Sequence, residues 1–178
     1  MTNKSKKHLK KYRSLRNEID SAVKKLEKEH FSHLACKAGC DLCCMDYGIL
    51  PVEFFSILEE LKSGGFQKES LKETPKDENS CVFLQNHNCA IYKSRPVNCR
   101  THGLPLLFTN EDGEWQLSVC ELNFTQFNFE KFTLDNTYPQ DKYNSKLFLI
   151  NRDFIAEYKE ERFNEFDLIP LKKLVEYV

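Results

Sequence analysis

The chain has 178 residues, with 26 Lys and Arg against 27 Asp and Glu; that length suits one domain, with or without arms, and is too short for a full (β/α)8 barrel. The near-neutral charge excludes a surface built wholly for polyanions. Hydrophobic residues at 40% of the chain, among them 14 Phe and 7 Tyr, supply a modest core. No apolar run approaches the roughly 18 residues of a membrane helix. The basic start is followed by Leu15, Asn17, Glu18, Ile19 and Asp20 in place of an apolar signal core, so an uncleaved cytoplasmic chain is expected.

The positive charge is local. Residues 1–16 hold Lys4, Lys6, Lys7, Lys10, Lys11, Arg13 and Arg16 and no acid. From Tyr12, apolar side chains recur at Leu15, Ile19, Ala22 and Leu26, in steps of three and four, which predicts an amphipathic helix to about His33. Cations at its start oppose the helix dipole, so residues 1–8 are expected as a frayed, flexible basic arm and residues 9–178 as a single domain. Within it, 36–120 form a cysteine-cluster module and 121–178 a C-terminal helical packing segment. The arm is read first as solvated and second as a contact for nucleic acid or an anionic membrane surface.

Pro51, followed by Val52, Phe54, Phe55, Ile57, Leu58 and Leu61, predicts a helix with proline at its first position, stopped by Gly64 and Gly65. Residues 67–80 are polar and read as a surface connection. Two short apolar runs, 82–84 and 90–92, flank residues 85–88 and predict a hairpin presenting Cys81 and Cys89; a second hairpin, 104–108 with 115–119, delivers Cys120. Aromatic density then rises through Phe124, Phe127, Phe129 and Phe132. Pro139 opens a helix with Tyr143, Leu147, Ile150, Phe154 and Tyr158 on one face, and residues 170–178 add a last amphipathic turn or two. The expected fold is α+β and mostly helical, with a small irregular cysteine-rich centre and short β-hairpins.

Eight cysteines are present, and Cys36, Cys40, Cys43 and Cys44 fall within nine residues. With no export signal, crowded thiols point to metal ahead of disulfides. Three thiols spaced as Cys36-x3-Cys40-x2-Cys43 can curl round one centre from a single loop, and Gly39 permits the turn. Cys44 should diverge from Cys43 towards a different centre unless the backbone turns. Only Cys40 and Cys43 make a two-residue knuckle, and the later gaps to Cys81, Cys89, Cys99 and Cys120 are long. That pattern suits an iron–sulfur cluster better than a zinc ribbon, with zinc as the alternative. Cys40, Cys43, Cys89 and Cys99 are expected to complete one centre.

Arg95 and Arg100 flank Cys99 and are read as cofactor-binding residues that offset thiolate charge, set against an ordinary salt bridge or carbonyl clamp. His33 and His102 stand three residues from Cys36 and Cys99; a plain histidine is the first reading for each and a ligand the second. Tyr92 is expected in the core with its hydroxyl at the edge. The Cys36–Cys40–Cys43 triplet also matches that of radical-SAM enzymes. It follows a helix here instead of a barrel strand, and only 135 residues follow Cys43.

Taken with Cys81-Val82-Phe83-Leu84, the string Cys89-Ala90-Ile91-Tyr92-Lys93-Ser94-Arg95-Pro96-Val97-Asn98-Cys99-Arg100 and Cys120, the cluster resembles the YkgJ-type cysteine-cluster family, described as zinc- or iron-chelating domains. This chain has three residues in the first gap where the family pattern has two. The resemblance implies that all eight cysteines are candidate metal ligands, and it supplies no reaction. It leads to an expected metal-binding protein, holding an iron–sulfur cluster, with a redox, sensing or protein-modification accessory role and an unidentified protein partner. Two other classes stay open: a zinc-stabilised interaction module whose basic arm contacts nucleic acid, and a methyltransferase-type enzyme related to flagellin lysine N-methylase, which carries a similar module.

Overall fold

The computed structural model describes residues 3–178. Four helices carry the fold: α1 (Asn3–Glu29), α2 (Pro51–Ser63), α3 (Val97–Thr101) and α4 (Gln140–Glu157). Six short strands lie between them, β1 (Gly48–Ile49), β2 (Leu84–Gln85), β3 (Asn88–Cys89), β4 (Leu106–Thr109), β5 (Trp115–Ser118) and β6 (Tyr138–Pro139), and β7 (Ile169–Pro170) follows α4. The architecture is α+β, mostly helical with small sheets, as the sequence pattern predicts.

The stripe of α1 is buried from Leu9 and Tyr12 through Leu15, Ile19, Val23 and Leu26. It meets Tyr143, Leu147 and Phe154 of α4, with Val52, Val97, Leu104 and Tyr138 closing the same cluster. Pro51 starts α2 without needing the N–H it lacks, and the Gly64 and Gly65 N–H groups end it on the Glu60 and Lys62 carbonyls at 2.9 and 3.2 Å. The other face of α2 (Phe54, Ile57, Leu58 and Leu61) builds a second cluster with Phe83, Ile91, Leu171 and Leu174. Helix α2 therefore stands between two apolar cores, and the thiols enter at the edge of the second: Cys81 belongs to it, and Cys44 and Cys89 pack against it.

Helix α1 begins by Asn3, where the sequence suggested fraying through residue 8; residues 1 and 2 of that arm lie outside the described residues. Ser5 and His8 are buried, and His8 Nε2 meets Glu157 at 3.1 Å. The nearby cations have partners on the facing helices. Arg13 pairs with Glu59 and Glu60, Arg16 with Glu60 at 2.7 Å, and Lys11 with Asp153 at 3.4 Å. Each such pair contributes only about 0–1 kcal/mol, but together with burial they outweigh the unfavourable dipole. Deleting residues 1–8 is therefore expected to cost about 1–3 kcal/mol. Thermal melting should register this as a loss of several degrees, whereas an unchanged midpoint would return the segment to a free arm.

The first hairpin turns one step tighter than expected. Its ladder pairs Leu84 with Cys89 and Gln85 with Asn88, leaving Asn86 and His87 as a two-residue turn with φ of 47° and 57°. Positive φ at both central residues is the turn that matches strand twist, and asparagine tolerates it well. The second hairpin forms as expected, β4 against β5, and β6 adds parallel to β4 to give the order β5-β4-β6. Strand β1 pairs antiparallel with β7, a long-range contact with no local signal in the sequence.

Candidate metal centre

The loop of residues 36–44 follows a single 3-10 turn, Phe31–His33, beyond the end of α1, and an aromatic knot fixes it there. Phe124 is buried and packs edge-on against His30, Phe127 and Phe132, and its backbone N–H donates to the His33 carbonyl at 2.8 Å. The neighbouring Asn123, also buried, ties three segments together. Its Oδ1 accepts from Ala35 N–H at 2.7 Å, and its Nδ2 donates to the Gly103 carbonyl at 2.7 Å and lies 3.3 Å from Cys36 Sγ. Gly103, at φ 90°, lets the chain pass beside Cys36; a Cβ there would stand 2.5 Å from that sulfur. Nothing in the cysteine spacing singled out Asn123 or Gly103, and the only hint was the position of Asn123 three residues after Cys120.

Gly39, at φ 92°, provides the turn expected within the loop, and the Cys40 and Cys44 N–H groups close short turns on the Lys37 and Asp41 carbonyls. Across the opening, Cys81 N–H donates to the Cys44 carbonyl at 3.1 Å, and His87 Nδ1 meets Asp41 Oδ2 at 2.8 Å, drawing the first hairpin onto the loop. Helix α3 delivers Cys99 from behind.

Seven of the eight cysteines (Cys36, Cys40, Cys43, Cys44, Cys81, Cys89 and Cys99) line one cavity of about 480 Å3. Cys120 lines an adjoining cavity of about 280 Å3, together with Cys36, Cys40 and Cys43. All eight are free thiols. Among the described residues, no three or more His, Cys, Asp or Glu side chains already stand as a coordination set; the thiols surround a space instead of meeting at a point. The donor chemistry nevertheless fits the soft thiolate preference of zinc or iron. The Cys side chain has a single torsion with three staggered wells, so a change of rotamer is what redirects each sulfur.

The arginines are placed differently from each other. Arg95 stacks on the Tyr92 ring at 3.7 Å, donates from Nη1 to the Tyr92 carbonyl and from Nε to the Cys99 carbonyl, and its charge favours the Cys89 thiolate. Tyr92 is thus exposed and carries Arg95, where the sequence reading put it in the core. Arg100 is buried and its donors go to Asp20 at 2.7 Å and to the Arg95 and Lys93 carbonyls at 2.9 and 2.6 Å. It clamps α3 to α1 and makes no hydrogen bond to sulfur. His33 packs against Phe124 and Phe127 and lines neither cavity. His102 lines both cavities beside Tyr47; its Nε2 is buried without a partner, and burial lowers its basicity.

Burial dominates the thiol electrostatics. It pushes Cys81 up to about 11 and Cys99 up to about 12, and it raises Cys36 and Cys89. The hydrogen bond between the adjacent Cys43 and Cys44 side chains raises the first and lowers the second, so Cys43 is the donor. At neutral pH the raised thiols are protonated in the metal-free protein, and a metal must displace those protons. Metal affinity is therefore expected to climb with pH, about tenfold per unit for each proton released, and to collapse on acidification. A competition titration between pH 6 and 8 checks this, and a flat profile would contradict it.

A thiol-walled cavity at the junction of a helical scaffold and short hairpins defines a cysteine-rich metal-binding domain. The model of the CxxCxxCC family, described as a candidate zinc- or iron-chelating domain, matches residues 35–121, just under half of the chain. No curated protein and no solved structure gives a match. The family match and the eight cysteines support metal binding. No helix among the described residues is long and apolar enough to cross a membrane.

Proposed function

We propose that the cavity holds an iron–sulfur cluster and that the protein works in the cytoplasm through that cluster, exchanging electrons with a protein partner in a redox or protein-modification process. The observation that carries this reading is the number of thiols around one space. Seven face about 480 Å3, more donors and more room than one tetrahedral ion with its four ligands requires. The ligands proposed are Cys36, Cys40, Cys43, Cys44, Cys81, Cys89, Cys99 and Cys120, with Arg95 offsetting negative charge beside Cys89. Bound there, the cluster would supply one-electron redox chemistry; the chain supplies the thiols, the cation and partial exclusion of water.

The rim favours a protein partner, because Leu42, Met45 and Tyr92 are exposed apolar side chains at the mouths of the two cavities. A zinc module with a nucleic-acid-contacting arm has less support, since Lys11, Arg13 and Arg16 already face acids of the same chain. Anaerobic purification followed by iron, zinc and acid-labile sulfide analysis tests the proposal. A brown protein with iron and sulfide, bleached by reduction, is expected; a colourless zinc protein without sulfide would overturn it.

A further inference from the structure

We infer that the eight thiols divide into two adjacent four-thiol centres, Cys36, Cys40, Cys43 and Cys120 in one and Cys44, Cys81, Cys89 and Cys99 in the other. This rests on the reading of the cavity as a chelating site and goes beyond it in number and partition. The first group is set apart by the adjoining cavity, whose lining includes those four cysteines and none of the other four. Asn123 joins its two ends, lying 3.3 Å from Cys36 Sγ while its own N–H bonds the Cys120 carbonyl at 2.9 Å.

The second group is set apart by packing. Cys81, Cys44 and Cys89 share the apolar cluster on the far face of α2, and Cys81 N–H bonds the Cys44 carbonyl. Cys99 reaches the same cavity from α3, lining it with Cys44, Cys81 and Cys89 and taking no part in the adjoining one. Cys36, Cys40 and Cys43 line both cavities, which places the two centres side by side. The adjacent pair Cys43 and Cys44 thus contributes one sulfur to each.

With Co2+ as the probe, each centre takes up one ion by losing four thiol protons to solvent and forming four metal–sulfur bonds, with no change in oxidation state. Four thiolates on one such ion leave two negative charges, so adjacent centres repel. Arg95 beside Cys89 and Lys37 at the cavity wall are the cations placed to offset that repulsion.

The metal-free protein titrated anaerobically with Co2+ alone tests the partition through thiolate-to-cobalt absorption. The full chain is expected to take up two equivalents. The paired variants Cys36→Ser with Cys120→Ser, and Cys81→Ser with Cys89→Ser, should each lose half of that uptake. In each variant, iodoacetamide should label the remaining cysteines of the damaged group and spare the intact one. A single equivalent in the unaltered chain, or complete loss in either paired variant with its helices intact, would overturn the two-centre division while leaving chelation standing. No uptake by the unaltered chain, with all eight thiols labelled, would remove the chelation reading as well.

Discussion

Arg100→Ala is expected to destabilise the protein by about 3 kcal/mol and to lower the melting midpoint by about 10 °C. The guanidinium is buried, and its donors are shared between Asp20 on α1 and the carbonyls of Lys93 and Arg95 just before α3. Truncation leaves two carbonyls short of their partner and an acid without its cation, and removing one member of such a set costs far more than an exposed pair is worth. Because Arg100 sits next to Cys99, loosening this clamp should also weaken metal retention. Arg100→Lys should recover only part of the loss, since an ammonium cannot reproduce the fork. Equilibrium melting with metal analysis checks both. A variant of unchanged stability with a shifted absorption spectrum would mean instead that Arg100 acts on the sulfurs.

Metal removal is expected to have the largest effect, and an uneven one. Chelation should raise hydrogen exchange throughout residues 36–44 and 81–99 while α1 and α4 stay protected. The cysteine-bearing segments consist of two-residue strands, single turns and polar connections, whereas α1 and α4 bury Leu9, Tyr12, Ile19, Leu147 and Phe154 against one another. Uniform protection with and without metal would reduce the thiols to ordinary packing residues.

The helices were legible because their signals are local. The 3–4 spacing from Leu15 to Leu26, Pro51 at the head of α2 and the face from Tyr143 to Phe154 each require only neighbours within one element. The start of α1 was misjudged because the dipole argument considers the helix alone, while Glu59, Glu60, Asp153 and Glu157 arrive from other helices. Arg100, from its position beside Cys99, was read as offsetting thiolate charge or as an ordinary salt bridge or carbonyl clamp, and the second reading is the one that forms. The structure assigns it to Asp20, 80 residues away, a partner no spacing rule could supply. The sequence paired Cys40 and Cys43 with Cys89 and Cys99, a grouping that the two-centre proposal replaces. Cys120 looked remote, yet Phe124 and Asn123 return it to the head of the loop.

The central claim is that these sulfurs hold the metal, and X-ray absorption at the metal edge of anaerobically isolated protein tests it most directly. The expected first shell is sulfur alone at about 2.3 Å, with a metal–metal shell beyond it if the iron–sulfur proposal holds. A first shell of oxygen and nitrogen would contradict the claim and leave the eight thiols without a metal to hold.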